Sequence, residues 1–134
     1  MFPKMTGIDH IHVYVDDWNR AEKWYQDVLG FKRVEALMAW AVPGGPLTIE
    51  SADGNVHLAL FERDERPGGT AIAFGASADE FLAWKSHLED KGLKLRVTDH
   101  ELAYSLYFHD PDNNMHEITT YEHEMVRAEL QQRR

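Results

Sequence analysis

Hydrophobic and polar positions alternate along residues 8–15, so that His10, His12 and Tyr14 share one side of an extended segment while Ile11, Val13 and Val15 share the other. This pattern predicts a strand with one apolar face and one face rich in imidazole. The period changes at Asp17-Trp18-Asn19-Arg20. Ala21, Trp24, Tyr25, Val28 and Leu29 then fall at helical spacing. Asp17 is suited to accept hydrogen bonds from the first helical amides, and Gly30 offers a left-handed stop. Three strand-like runs follow, at residues 31–40, 47–51 and 55–61. Pro43-Gly44-Gly45-Pro46 parts the first two, and Asp53-Gly54 is a hairpin signal between the others.

Residues 63–69 are charged and contain Pro67-Gly68-Gly69, which reads as a linker. After it the same order returns. A strand is predicted over 70–76, a helix over 79–91 with Phe81, Leu82, Trp84 and Leu88 inside, and Gly92 as its stop. Strands are then predicted over 93–98, 103–108 and 115–121. Gly30 and Gly92 lie 62 residues apart, and Trp24 and Trp84 lie 60 apart in corresponding helices. The simplest account is an α+β fold of two βαβββ modules, at about 8–62 and 69–121, within one domain of 134 residues. Each module would form a curved mixed sheet with a helix on one face, and the two open faces would enclose a shared cleft. The tail, 122–134, reads as a short helix.

Composition narrows the chemistry. Cysteine is absent, which removes disulfides, thiolate metal sites and cysteine nucleophiles together. A net charge of −9 argues against nucleic-acid or anionic-membrane partners, both of which need a basic footprint. No apolar run is long enough to span a bilayer, and the first residues lack the pattern of a signal peptide, so a cytoplasmic location is expected. Eight histidines are many for a chain of this length, and they direct attention to metal or substrate binding.

Two stretches carry a specific likeness. IDHIHVYVDDWNRAEKWYQDVLGF resembles the opening of the vicinal oxygen chelate superfamily, which includes glyoxalase I, extradiol dioxygenases and the fosfomycin- and bleomycin-resistance proteins. SLYFHDPDNNMHEITTYE resembles its closing strand pair, with an Asp-Pro-Asp turn in which Pro111 presets one corner and Asn113 tolerates a left-handed conformation. The resemblance implies a divalent ion (Ni, Mn, Fe or Zn) bound by His10 and Glu117 in the cleft, with Glu117 also in a catalytic role. The superfamily's middle ligand positions fall on Ala59 and Ala71, which have no donor. His57, two residues before Ala59, is a candidate third ligand. For His10 and Glu117 the alternative is a metal-free hydrogen-bonded pair.

The remaining candidates are milder. His12, Trp40, Ala59, Ala71, Tyr104 and Tyr121 are expected to line the substrate site, and Phe108 is placed with Trp40 and Tyr104 on strands facing the cleft. His109 and His116 read as structural, and His87, His100 and His123 as solvent-exposed. The leading expectation is a metal-dependent lyase, isomerase or dioxygenase acting on a small oxygen-rich substrate, assembled as a homodimer. The alternative is a metal-free protein that sequesters an antibiotic or apolar metabolite, as bleomycin-resistance members do. Fosfomycin thiol transfer fits less well, because Ala71 stands where it would need a histidine.

Overall fold

A computed structural model of the chain describes residues 1–4, 6–64 and 71–132. Most of the expected linker and the first residue of the expected fifth strand lie outside them. The chain divides into two compact units, Met1–Pro67 and Gly68–Arg134.

The first unit contains β1 (Ile11–Val15), α1 (Trp18–Trp24), β2 (Lys32–Arg33), β3 (Pro46–Glu50) and β4 (His57–Glu62). The Asp17 carboxylate accepts from the Arg20 amide at 3.1 Å, filling one orphan donor at the start of α1. The helix ends in a π turn, Tyr25–Leu29, and closes on Gly30 at φ 75°. A side chain is strained in that conformation, which accounts for the glycine. The sheet runs β1-β4-β3-β2, with β1 parallel to β4 and the other pairs antiparallel. The register sets Val13 beside Leu60 and Leu60 beside Leu47. These residues, with Val15, Ile49 and Leu58, form a buried sheet face alongside the buried Ala21, Tyr25, Val28 and Leu29 of the helical segment. Each such aliphatic side chain contributes about 1.5–3 kcal/mol by leaving water.

The third element departs from expectation. Only Lys32–Arg33 of the run 31–40 is strand, and Glu35–Trp40 winds into a 3-10 helix. Val34 still donates to Thr48 O at 2.9 Å, after which the ladder is abandoned. Glu-Ala-Leu-Met-Ala is a run of strong helix formers, and this local preference prevails once pairing stops. The turn that follows brings Gly45 against the Trp40 carbonyl, where a Cβ would not fit.

The second unit repeats the order with β5 (Ile72–Gly75), α2 (Ala78–Asp90), β6 (Arg96–Asp99), β7 (Tyr104–His109) and β8 (Met115–Thr120), followed by α3 (His123–Gln132). Its sheet runs β5-β8-β7-β6, with β5 parallel to β8, the same topology as the first. Ser77 caps α2 by accepting from the Glu80 amide, and Gly92 closes the turn after it at φ 84°. Phe74, Leu106, Phe108 and Ile118 face the helix side, where Phe81 and Leu88 are fully buried. The tail forms the expected helix, and α3 packs on α2 with Val126 buried. Among the described residues no helix is long and apolar enough to cross a membrane.

Candidate functional site

Opposite the helix, the first sheet presents His12, Tyr14, Ala59, Phe61, Thr48, Glu50 and His57, as the cross-strand register requires. His10 precedes β1, which is shorter than the sequence suggested, yet it keeps to that face. Its ring stacks on His12 with centroids 5.1 Å apart and planes 19° from parallel. His10 Nδ1 lies 2.8 Å from Asp9 Oδ2, and His10 Nε2 lies 3.2 Å from His12 Nε2. A carboxylate cannot donate, so Nδ1 carries the proton and His10 Nε2 presents a lone pair. His12 also packs on Phe61 at 4.7 Å. His57 shares the face, as expected from its spacing, but its Nε2 is 3.1 Å from Glu50 Oε2. Ala59 sits beside His12 across the ladder and is 2% exposed, so it supplies space to the sheet and no donor.

The second sheet's face opposite its helix carries Ala73, Ser105, Tyr107, Glu117 and Thr119. Ser105 Oγ donates to Glu117 Oε2 at 2.7 Å and lies 3.0 Å from Thr119 Oγ1. The Thr119 hydroxyl in turn donates to the Tyr104 carbonyl at 3.3 Å. Beside Glu117 across the ladder, the Tyr107 ring stacks under the Arg96 guanidinium at 4.5 Å. Ala71 lies exposed just before β5. The hydrogen-bond partner of Glu117 is thus a serine hydroxyl from the adjacent strand. Ser105, Thr119 and Glu50 went unnoticed, because only the pairing register reveals their contacts.

The Asp-Pro-Asp turn forms as its residues dictate. Asp110 Oδ1 accepts from the amides of Asp112 and Asn114 at 2.9 and 2.8 Å, and Asn113 adopts φ 66°. This fixes the start of β8, and hence the side on which Glu117 points. The neighbouring His116 is fully buried between Phe74 and Phe108. Burial drives its pKa down to about 4, against the opposing pull of the Asp110 charge and with a smaller push from His109.

Several aromatic expectations are corrected. Tyr104 and Phe108 lie on the helix side of β7, opposite in parity to Ser105 and Tyr107, so neither shares a face with Glu117. Tyr104 instead stacks on His123 at 4.8 Å. His123 is accordingly not solvent-exposed: its side chain is 14% exposed and binds Asp99 Oδ1 at 2.7 Å. Trp40 is not on a strand but ends the 3-10 helix, more than half exposed. Tyr121 lies beyond the end of β8 and borders a shallow surface hollow with Leu102, Glu122 and Met125.

Two sheets of the same strand order, with imidazoles on one and a carboxylate on the other, mark a fold built by duplication. Residues 7–118 match the sequence model of the Glyoxalase/Bleomycin resistance protein/Dioxygenase superfamily, and the chain belongs to that family. A curated relative, metallothiol transferase FosB of Staphylococcus epidermidis, is 28% identical over 126 residues, covering 87% of this chain and 83% of the relative. Among solved structures, lactoylglutathione lyase from Agrobacterium tumefaciens superposes with a TM-score of 0.72 at 24% identity, covering 88% of this chain and 96% of that one. The fosfomycin resistance protein FosX from Listeria monocytogenes, solved with Mn(II) and 1S,2S-dihydroxypropylphosphonic acid, gives 0.71 at 19% identity, covering 91% and 97%.

The donors in this chain fit a divalent ion in kind. They are imidazole nitrogen and carboxylate oxygen, the set that suits first-row ions such as zinc, nickel and iron. His10 has the second-side carboxylate that commonly orients a ligating imidazole. Among the described residues, however, no three His, Asp or Glu side chains gather closely enough to hold an ion.

Proposed function

We propose that the chain is a cytoplasmic small-molecule metalloenzyme of the superfamily, in which His10 and Glu117 bind a divalent ion (Ni, Mn, Fe or Zn) and water or His57 completes its shell. The observation that carries this reading is His10: Nδ1–H donates to Asp9, which leaves the Nε2 lone pair, met by the His12 ring, on the face opposite the helix. The Glu50 pairing occupies Nε2 of His57 and favours water over His57 as the further ligand. A bound ion would supply a Lewis acid for a substrate presenting two adjacent oxygens. Glu117 is the residue assigned to move a proton, and Ser105 holds one of its oxygens in place while it does so. A homodimer is the assembly this reading expects.

Elemental analysis of untagged protein and calorimetric titration with Ni, Mn, Zn and Fe(II) test the proposal. Stoichiometric binding that is lost in both His10→Ala and Glu117→Gln is expected; no binding tighter than micromolar for any of these ions would sink it. A second reading is favoured by one observation, the two donorless alanines at the superfamily's middle ligand positions. It is a metal-free pocket protein that sequesters an apolar antibiotic or metabolite. That reading predicts thermal stabilisation by such compounds with chelator present, and fails if a broad screen produces none.

A further inference from the structure

The sequence places His12 as a substrate contact. We infer that it is instead a second metal ligand, so that His10 and His12 together form a two-nitrogen clamp, oriented by Asp9, that replaces the donor missing at Ala71. This rests on the metalloenzyme reading and deepens it.

Three observations converge. The two Nε2 atoms lie 3.2 Å apart. Two nitrogens each about 2.1 Å from one ion are separated by that distance when they subtend about 100°, between the octahedral and tetrahedral angles. The Asp9 carboxylate, 2.8 Å from His10 Nδ1, fixes the ring's tautomer so that Nε2 faces the shared point. The His10 ring stacks on His12, which in turn packs on Phe61, so both imidazoles are held in orientation before any ion arrives.

The proton accounting also works. With Nδ1–H of His10 given to Asp9, His12 Nε2 is the donor in the contact between the rings. On binding an ion, His12 moves its proton from Nε2 to Nδ1 by exchange with water, and both Nε2 lone pairs become available. No proton is gained or lost overall. His10 keeps 43% of its side-chain surface open, and His12 is exposed as well. Both donors come from one short segment of one unit. The clamp therefore does not require Glu117 to assemble, although Glu117 remains the carboxylate ligand of the full site.

The test is calorimetric titration of the full chain with Zn2+ and Ni2+, comparing wild type with His10→Gln, His12→Gln, Asp9→Asn and Glu117→Gln. Long-range proton–nitrogen NMR of the histidine rings accompanies it. His10 and His12 lie on the surface, and unchanged circular dichroism of the variants checks folding. One ion per wild-type chain is expected, with His12→Gln weakening it as much as His10→Gln, tenfold or more, and Asp9→Asn by about tenfold. Zinc should shift the Nε2 resonances of both rings. Wild-type affinity in His12→Gln, or a ring-nitrogen shift at His10 alone, overturns the clamp. If binding persists in His12→Gln but is lost in His10→Gln and Glu117→Gln, the clamp fails and the metalloenzyme reading stands. If binding needs both imidazoles but ignores Glu117→Gln, the clamp stands and the His10–Glu117 site fails. Absence of binding by the wild type overturns both.

Discussion

The two units have one topology and unlike open faces. The first presents stacked imidazoles with carboxylates behind them, Asp9 on His10 and Glu50 on His57. The second presents one carboxylate held by hydroxyls, Glu117 on Ser105 with Thr119 beyond. A duplicated scaffold thus keeps its apolar register on the helix side while the polar side chains of the opposite parity differ between the units. The same division places the one deeply buried histidine, His116, on the packed side of the second unit.

The largest test of that division is in the packed layers. Phe81→Ala in the second unit should cost about 3–5 kcal/mol and Leu60→Ala in the first about 2–5, measured by urea unfolding. Losses under 1 kcal/mol at these fully buried positions would contradict the assignment of the packed faces.

His116 gives the next effect. Its folded pKa of about 4 lies below the ordinary 6.5, so the unfolded chain takes up the proton first. Stability is therefore fully present above pH 6.5 and falls as the pH drops towards 4, by about 3 kcal/mol in all. Unfolding series at pH 7.5 and 4.5 should show this loss in the wild type and a smaller one in His116→Leu. Equal losses in the two proteins would remove His116 as the cause.

Ser105→Ala should cost about 1–3 kcal/mol, because it leaves Glu117 without its hydroxyl partner. The smallest effects compare equivalent devices in the two units. Asp17→Ala and Ser77→Ala each remove a helix cap and should each lower stability by about 1 kcal/mol. A cap that matters in one unit and not in the other would show that the likeness between them is one of shape and not of energetics.

Much of this was legible in the chain, and the reasons differ by element. Strands of period two and helices closed by Gly30 and Gly92 stood out because side-chain alternation and a left-handed stop are local properties. The segment 35–40 was misread because its apolar content suggested a strand, whereas its propensity is helical and few ladder partners remain there. Tyr104 was set on the wrong face because parity has to be counted from a paired residue, and Glu117 fixes it only through β7. The partners of Glu117 and His57 come from neighbouring strands, and sequence spacing carries no information on those contacts. The stacked histidines were visible as neighbours on one face, but the convergence of their nitrogens depends on ring torsions set by Asp9 and Phe61.

The parallel pairing of each sheet has a consequence for how the protein assembles itself. Ile11 lies beside Leu58 and Ile72 beside His116, contacts spanning more than forty residues, whereas β3–β4 and β7–β8 join neighbours in the chain. Chain entropy makes such distant contacts late and slow relative to hairpins. In each unit the first strand to be synthesised should therefore be the last to dock. Val13→Ala should then act mainly by speeding unfolding, and Leu106→Ala by slowing folding, in stopped-flow measurements. By this order, the segment bearing His10 and His12 takes its place only after the rest of its sheet has formed.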